Sequence, residues 1–147
     1  MNQRLLYETD FVRWSETTAQ QLRNQNYDRV DWENLIEEIE DMSRRERKAL
    51  KSNLIVVLLH LLKWQYQSEM RSGSWRGSIR EYRRRVNDDL QDSPSLFSCV
   101  QEVLVLCYGN AREQAADETG LAIDVFPLDC PYTIAQILNP KFLPDGV

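Results

Sequence analysis

The chain predicts an all-α fold, a single-domain helical bundle of about five main helices followed by a short C-terminal one, and three observations carry this. Apolar residues recur at helical spacing from end to end, N-capping residues stand at the head of most of these runs, and no stretch alternates apolar with polar in the manner of a strand. With 147 residues, 42% of them hydrophobic and only five Gly and five Pro, low-complexity and disordered classes are excluded. A chain of this size buries roughly 70% of its unfolded surface, enough for a core without disulfides or a structural metal. Residues 1–147 are therefore read as one domain, with a loop at 121–132 and a tail at 139–147 largely irregular.

The first helix follows Asp10, a good N-cap, with Phe11, Trp14, Thr18 and Leu22 on one face, and ends near Asn24 to Asn26. Asp31 caps the second, where Trp32, Leu35, Ile36, Ile39 and Met42 form an apolar stripe and Glu33, Glu37 and Glu40 run along one flank. Ser43-Arg44-Arg45-Glu46 fits a capping box and predicts the start of a third helix, although no Gly or Pro stands at the junction to force a break. From Leu50 to Trp64 that helix is apolar almost all round, which places it in the middle of a bundle, with Leu54, Val57, Leu58 and Leu61 among the most buried residues. Ser72, Gly73, Ser74, Gly77 and Ser78 mark a turn into a fourth helix bearing Trp75, Ile79, Tyr82, Val86 and Leu90. Ser93-Pro94 opens a fifth, with Leu96, Val100, Val103, Leu104, Cys107 and Ala111 on one face, and Gly120 stops it. Leu121 to Tyr132 carries Pro127 and Pro131 and no period, so it crosses the surface with Phe126 tucked in. Thr133 to Gln136 is a capping box for a last short helix that Asn139-Pro140 ends.

The net charge of −5 hides a strong segregation. Residues 1–43 hold 4 basic and 10 acidic residues, residues 44–85 hold 12 and 3, and residues 86–147 hold 2 and 10. A basic middle between acidic ends suggests internal complementarity first and an anionic partner second. Three widely spaced cysteines, Cys99, Cys107 and Cys130, together with Asn2, Gln3 and Arg4 where an export segment would turn apolar, give a cytoplasmic expectation with reduced thiols. The longest apolar run, Leu54 to Leu62, is far short of the roughly 20 residues of a membrane span, so no membrane partner is expected.

Little in the sequence points to catalysis. His60 is the only histidine and lies between Val56 and Trp64 on a largely buried helix, where a core histidine satisfied locally is the plain reading. The sharper one makes it an acid, base or ligand in a polar cluster with Trp64, Trp75 and a carboxylate such as Glu37. No His or Cys pair has metal spacing, so neither metal nor cofactor is expected, and burial should lower the pKa of His60. Cys107, at the centre of an apolar stripe, reads as an inert thiol.

The strongest polar feature is the arginine-rich segment 71–85. Arg71, Arg76, Arg80, Arg83 and Arg84 are candidates for binding an anion or a partner, and Trp75 and Tyr82 among them could stack on bases. An internal explanation accounts for more. Arg76, Arg80 and Arg83 share the i, i+4, i+7 spacing and the flank of Glu33, Glu37 and Glu40, and like flanks meet when helices pack antiparallel, so an ion-pair ladder between the two is expected.

Several strings are similar to one family: Asp31-Trp32-Glu33-Asn34-Leu35-Ile36-Glu37-Glu38-Ile39-Glu40, His60-Leu61-Leu62-Lys63-Trp64-Gln65-Tyr66, Ser74-Trp75 with Ile79-Arg80, Asp92-Ser93-Pro94-Ser95-Leu96, Glu118-Thr119-Gly120-Leu121, and Phe126-Pro127 with Cys130-Pro131-Tyr132-Thr133. Together they resemble domain-of-unknown-function family number twenty-nine, small bacterial proteins most numerous in photosynthetic bacteria. The resemblance covers nearly the whole chain and implies an all-helical single domain. It implies no activity and carries over no catalytic residue. The function expected is a non-enzymatic helical module that binds another protein. The alternative is an anion or nucleic-acid binder acting through helix 71–85, nucleic acid being the less favoured ligand. Four tryptophans are compatible with a homo-oligomer without demanding one.

Overall fold

The computed structural model describes residues 2–146, and within them there are six α-helices and no strand. They are α1 (Gln3–Thr9), α2 (Phe11–Arg23), α3 (Trp32–Tyr66), α4 (Gly73–Asp92), α5 (Leu96–Thr119) and α6 (Ile134–Leu138). None is long and apolar enough to cross a membrane. Residues Met1 and Val147, which the export-segment and tail expectations include, lie outside the described residues. By its contacts the chain divides into two compact units, one running to Arg45 and the other from Glu46.

In the first unit α1 is an addition to what the periodicity predicts. It is seven residues long, with the Asn2 side chain accepting from the Arg4 N–H, too short to show a period. Asp10 closes it and caps α2, accepting from the Arg13 N–H. The two helices meet through Tyr7 and the buried Trp14, whose rings lie edge to face at 4.8 Å. Asp31 then accepts from the Trp14 indole at 3.3 Å and from the Asn34 side chain at 2.7 Å, tying the start of α3 back to α2.

The predicted break at Ser43 is absent. Trp32 to Tyr66 is one helix of 35 residues, and Arg44 explains why: it pairs with Glu37, Glu40 and Asp41, all one or two turns back. With i−3 and i−4 partners for Arg44 and no Gly or Pro, nothing opposes continuation through a capping box whose Ser43 is simply exposed.

In the second unit the C-terminal half of α3 is the core, as its all-round apolarity predicts. Leu50, Leu54, Val57, Leu58, Leu61 and Leu62 are buried together with Ile79 and Val86 of α4 and Val100, Cys107, Tyr108 and Ala111 of α5. Ser72 caps α4 by accepting from the Trp75 N–H, so the Ser/Gly-rich stretch is already helical from Gly73. Gly120 ends α5 in the left-handed region at φ 74°, a conformation that other residues adopt only with strain. The loop after it packs down rather than floating: Phe126 is buried against Tyr66, and Tyr108 donates to the Pro127 carbonyl. Tyr132 donates to Gln65 at 2.7 Å. The Thr133/Gln136 capping box is present at the head of α6. From Asn139 to Gly146 the chain is irregular.

A basic groove beside the fourth helix

The sequence-predicted arginines fall into three environments. Arg83 is not on the surface: it is 2% exposed, and its guanidinium donates to the carbonyls of Ile137 at 2.7 Å, Phe142 at 3.0 Å and, more weakly, Gln136 at 3.4 Å. Asn87, one turn further along α4, donates to the Leu138 carbonyl at 3.0 Å. Three carbonyls at the end of α6, those of Gln136, Ile137 and Leu138, are thus capped from α4, and the C-terminal segment is fixed beside that helix. Burial pushes the Arg83 pKa down, though a guanidinium stays charged throughout the physiological range.

Arg84 and Arg71 are engaged locally. Arg84 pairs with Glu81 at 2.7 Å and Asp88 at 2.8 Å, and Arg85 shares Glu81, so two guanidinium partners hold that carboxyl below its ordinary range. Arg71 donates to the Trp64 carbonyl at 2.8 Å and lies 5.0 Å from that indole's centroid. Arg76 and Arg80 differ from all of these. Both are exposed, and among the described residues neither makes an ion pair or a side-chain hydrogen bond.

These two line a groove of about 930 Å³ that runs beside α4 and is closed on its other side by Pro140, Lys141 and Leu143. Ile79 and Leu143 give it an apolar floor, while Arg76, Arg80 and Lys141 surround it with positive charge. Gly73 and Gly77, one turn apart, contribute bare helix: a Cβ built at either position meets nothing within 4 Å. The wall 140–143 exists because Arg83 and Asn87 hold the chain there. Arg83 therefore builds the groove that it was expected to serve as a ligand group. Nothing in the sequence marks Lys141 or Leu143 for this role, since their proximity to α4 depends on contacts made more than fifty residues away in the chain.

The ion-pair ladder expected between Glu33, Glu37, Glu40 and Arg76, Arg80, Arg83 is corrected by the same contacts. Glu33 pairs with Arg4, Glu37 and Glu40 pair with Arg44, and the Arg83 donors go to backbone carbonyls. The helical wheel gave equal spacing and flank, but Arg44, one and two turns along the same helix, takes Glu40 and Glu37 at little entropic cost, and Arg4 takes Glu33.

Of the proposed polar cluster, His60, Trp64 and Trp75 lie in the second unit, and Glu37 lies in the first, with Arg44. His60 is half-buried with Nδ1 at 2.8 Å from the Val56 carbonyl, and burial lowers its pKa as expected, the Lys63 charge adding to the effect. The carboxylate whose charge acts on His60 is Glu118, which no spacing in the sequence singles out. Lys63, almost buried, meets Glu118 at 3.3 Å and stands 4.8 Å from the Trp75 centroid. Burial raises the thiol pKa of Cys107 and Cys130, against nucleophilic use.

A helical fold with an arginine-lined groove and no assigned chemistry is thus the class that fold and site define. The chain belongs to the family described as domain of unknown function DUF29, whose model matches residues 6–143. No curated protein and no solved structure matches it.

Proposed function

We propose that this chain is a non-enzymatic binding module of the bacterial cytoplasm whose groove beside α4 takes an acidic segment of another protein. The observation that carries the reading is the pairing state of the arginines. Arg83 and Arg84 have their partners within the chain, whereas Arg76 and Arg80 face a concave, partly apolar surface with none among the described residues. Desolvating an arginine beside an apolar floor favours a ligand that brings both a carboxylate and some apolar surface. A groove of about 930 Å³ exceeds what a single small anion fills and suits an extended peptide.

Nucleic acid fits this groove less well. Base recognition on single strands relies on aromatic platforms, yet Trp75 lies under Lys63 and Tyr82 under Arg85, and neither ring lines the groove. The lowered pKa of His60, its bond to the Val56 carbonyl and the raised thiol pKa values support a binding role over acid–base or thiol chemistry. Three free thiols support the reducing compartment.

The test is a fluorescence-anisotropy titration with a labelled Glu/Leu-rich peptide, a single-stranded oligonucleotide of equal length and inorganic phosphate as competitor. Peptide binding that weakens roughly tenfold in Arg80→Ala, about one charge-assisted contact, is the expected result. Peptide binding indifferent to Arg76→Ala and Arg80→Ala, or preference for the oligonucleotide with a steep salt dependence, would overturn it.

A further inference from the structure

In the apolar stripe of the first half of α3 Leu35 is half-buried, and the other four residues are exposed. Trp32 is 47% exposed, Ile36 53%, Ile39 57% and Met42 58%, on one face of a helix whose opposite, polar edge is turned inward. On that inner edge Glu38 accepts from Tyr7, and Asn34 and Asp41 are half-buried. An amphipathic helix normally does the reverse. Four large apolar side chains at that spacing present on the order of 500 Å² of contiguous surface, the size at which patches mark interaction sites.

From this stripe we infer that the chain self-associates through residues 32–45 of α3, two copies packing antiparallel about a two-fold axis near Glu40 and Asp41. Charge order selects a second copy over other occupants. Along one flank of the stripe the sign reads Glu33, Glu37, Glu40 and then Arg44. A flank that begins acidic and ends basic is complementary to itself only when the two helices run in opposite directions, because antiparallel packing brings like flanks together. With the axis between residues 40 and 41, Ile39 of each copy faces Met42 of the other, and Glu37 meets Arg44. Arg44 already pairs with Glu37, Glu40 and Asp41 of its own chain, so the dimer adds a fourth carboxylate around a side chain that is still about half exposed. The interface is an isologous one, using the same patch twice.

Two such stripes remove on the order of 1,000 Å² from water, below the ~1,600 Å² of a standard interface and in the size class of weak, transient contacts. The inference does not depend on the groove of α4.

Sedimentation velocity on the full chain from about 1 to 200 μM is expected to show a concentration-dependent monomer–dimer equilibrium. Ile39→Glu places a charge at the centre of the stripe and should weaken it by at least tenfold, with the helical circular dichroism unchanged. Glu37→Arg and Arg44→Glu should each weaken it alone, yet their equimolar mixture should dimerise, since each copy then supplies the charge that the other lacks. That recovery on mixing is something an intrachain pair cannot produce. A chain monomeric throughout the range, a dimer indifferent to Ile39→Glu, or charge-reversed variants that fail to recover when mixed would overturn the inference.

Discussion

Replacing Arg83 by Met keeps the length of the side chain and most of its aliphatic packing against α4 but removes every donor it offers. Two of its hydrogen bonds, to the carbonyls of Ile137 and Phe142, are short enough to count in full, and the third, at 3.4 Å, adds little. Charge-assisted bonds to buried acceptors are worth about 1.5–3 kcal/mol each, and the desolvation that lowers the Arg83 pKa offsets part of that, so the net loss should be about 3 kcal/mol. Arg83→Lys restores a charge but only one donor site, and should recover less than half. Urea denaturation followed by circular dichroism measures the change in midpoint. Amide hydrogen exchange at Ile137 and Asn139, whose N–H groups are bonded within α6, reports on whether the C-terminal segment stays in place. If Arg83→Met loses less than about 0.5 kcal/mol and those amides keep their protection, the carbonyl clasp is not what fixes the segment, and the account of how the groove is built fails.

Four further outcomes follow from single contacts. Gly77→Ala has room for its Cβ and should stabilise the chain by about 0.5–1 kcal/mol while weakening peptide binding in the groove, a divergence that thermal melts and anisotropy titrations read separately. Glu118→Gln leaves the nearly buried Lys63 without its carboxylate and should cost more than Lys63→Met, which removes the buried charge itself, with denaturant midpoints giving the order. Because the folded chain holds His60 below its ordinary pKa, the unfolded chain binds the extra proton first. Stability should therefore fall as pH drops below about 6.5, the ordinary histidine value, and His60→Gln should flatten that slope in melts taken between pH 7 and 5. Cys107, fully buried, should react with a thiol reagent more slowly than the half-buried Cys130, as mass spectrometry of the partly labelled native protein would show.

The sequence made the fold class readable because its signals were redundant. The stripe from Leu50 to Leu62, the Ser72 and Thr133 caps and the stop at Gly120 each matched the local physics of the helix they belonged to. The junction at Ser43 misled because a capping box states what a helix start would use, not whether the helix must start there, and Arg44 stabilises the continuous alternative. The site was half legible. Arg76 and Arg80 were identifiable as exposed cations on a ridge, but Arg83 shares their spacing and is buried. Only the fold of residues 136–142, distant in sequence, separates a ligand-facing arginine from one that holds a wall in place.

The Arg83 clasp also sets when in the life of the molecule the groove can exist. Helix α4 and the core around it involve residues that leave the ribosome well before Gln136, Ile137 and Phe142, and synthesis proceeds from the N-terminus at roughly 5–20 residues per second. Until those residues arrive, the guanidinium has no carbonyls to meet and the groove has one wall. A nascent or prematurely terminated chain can therefore be helical, with much of its core in place, and still be unable to hold a ligand beside α4. Binding at that site would report that residues 136–142 have been made and have folded back onto α4.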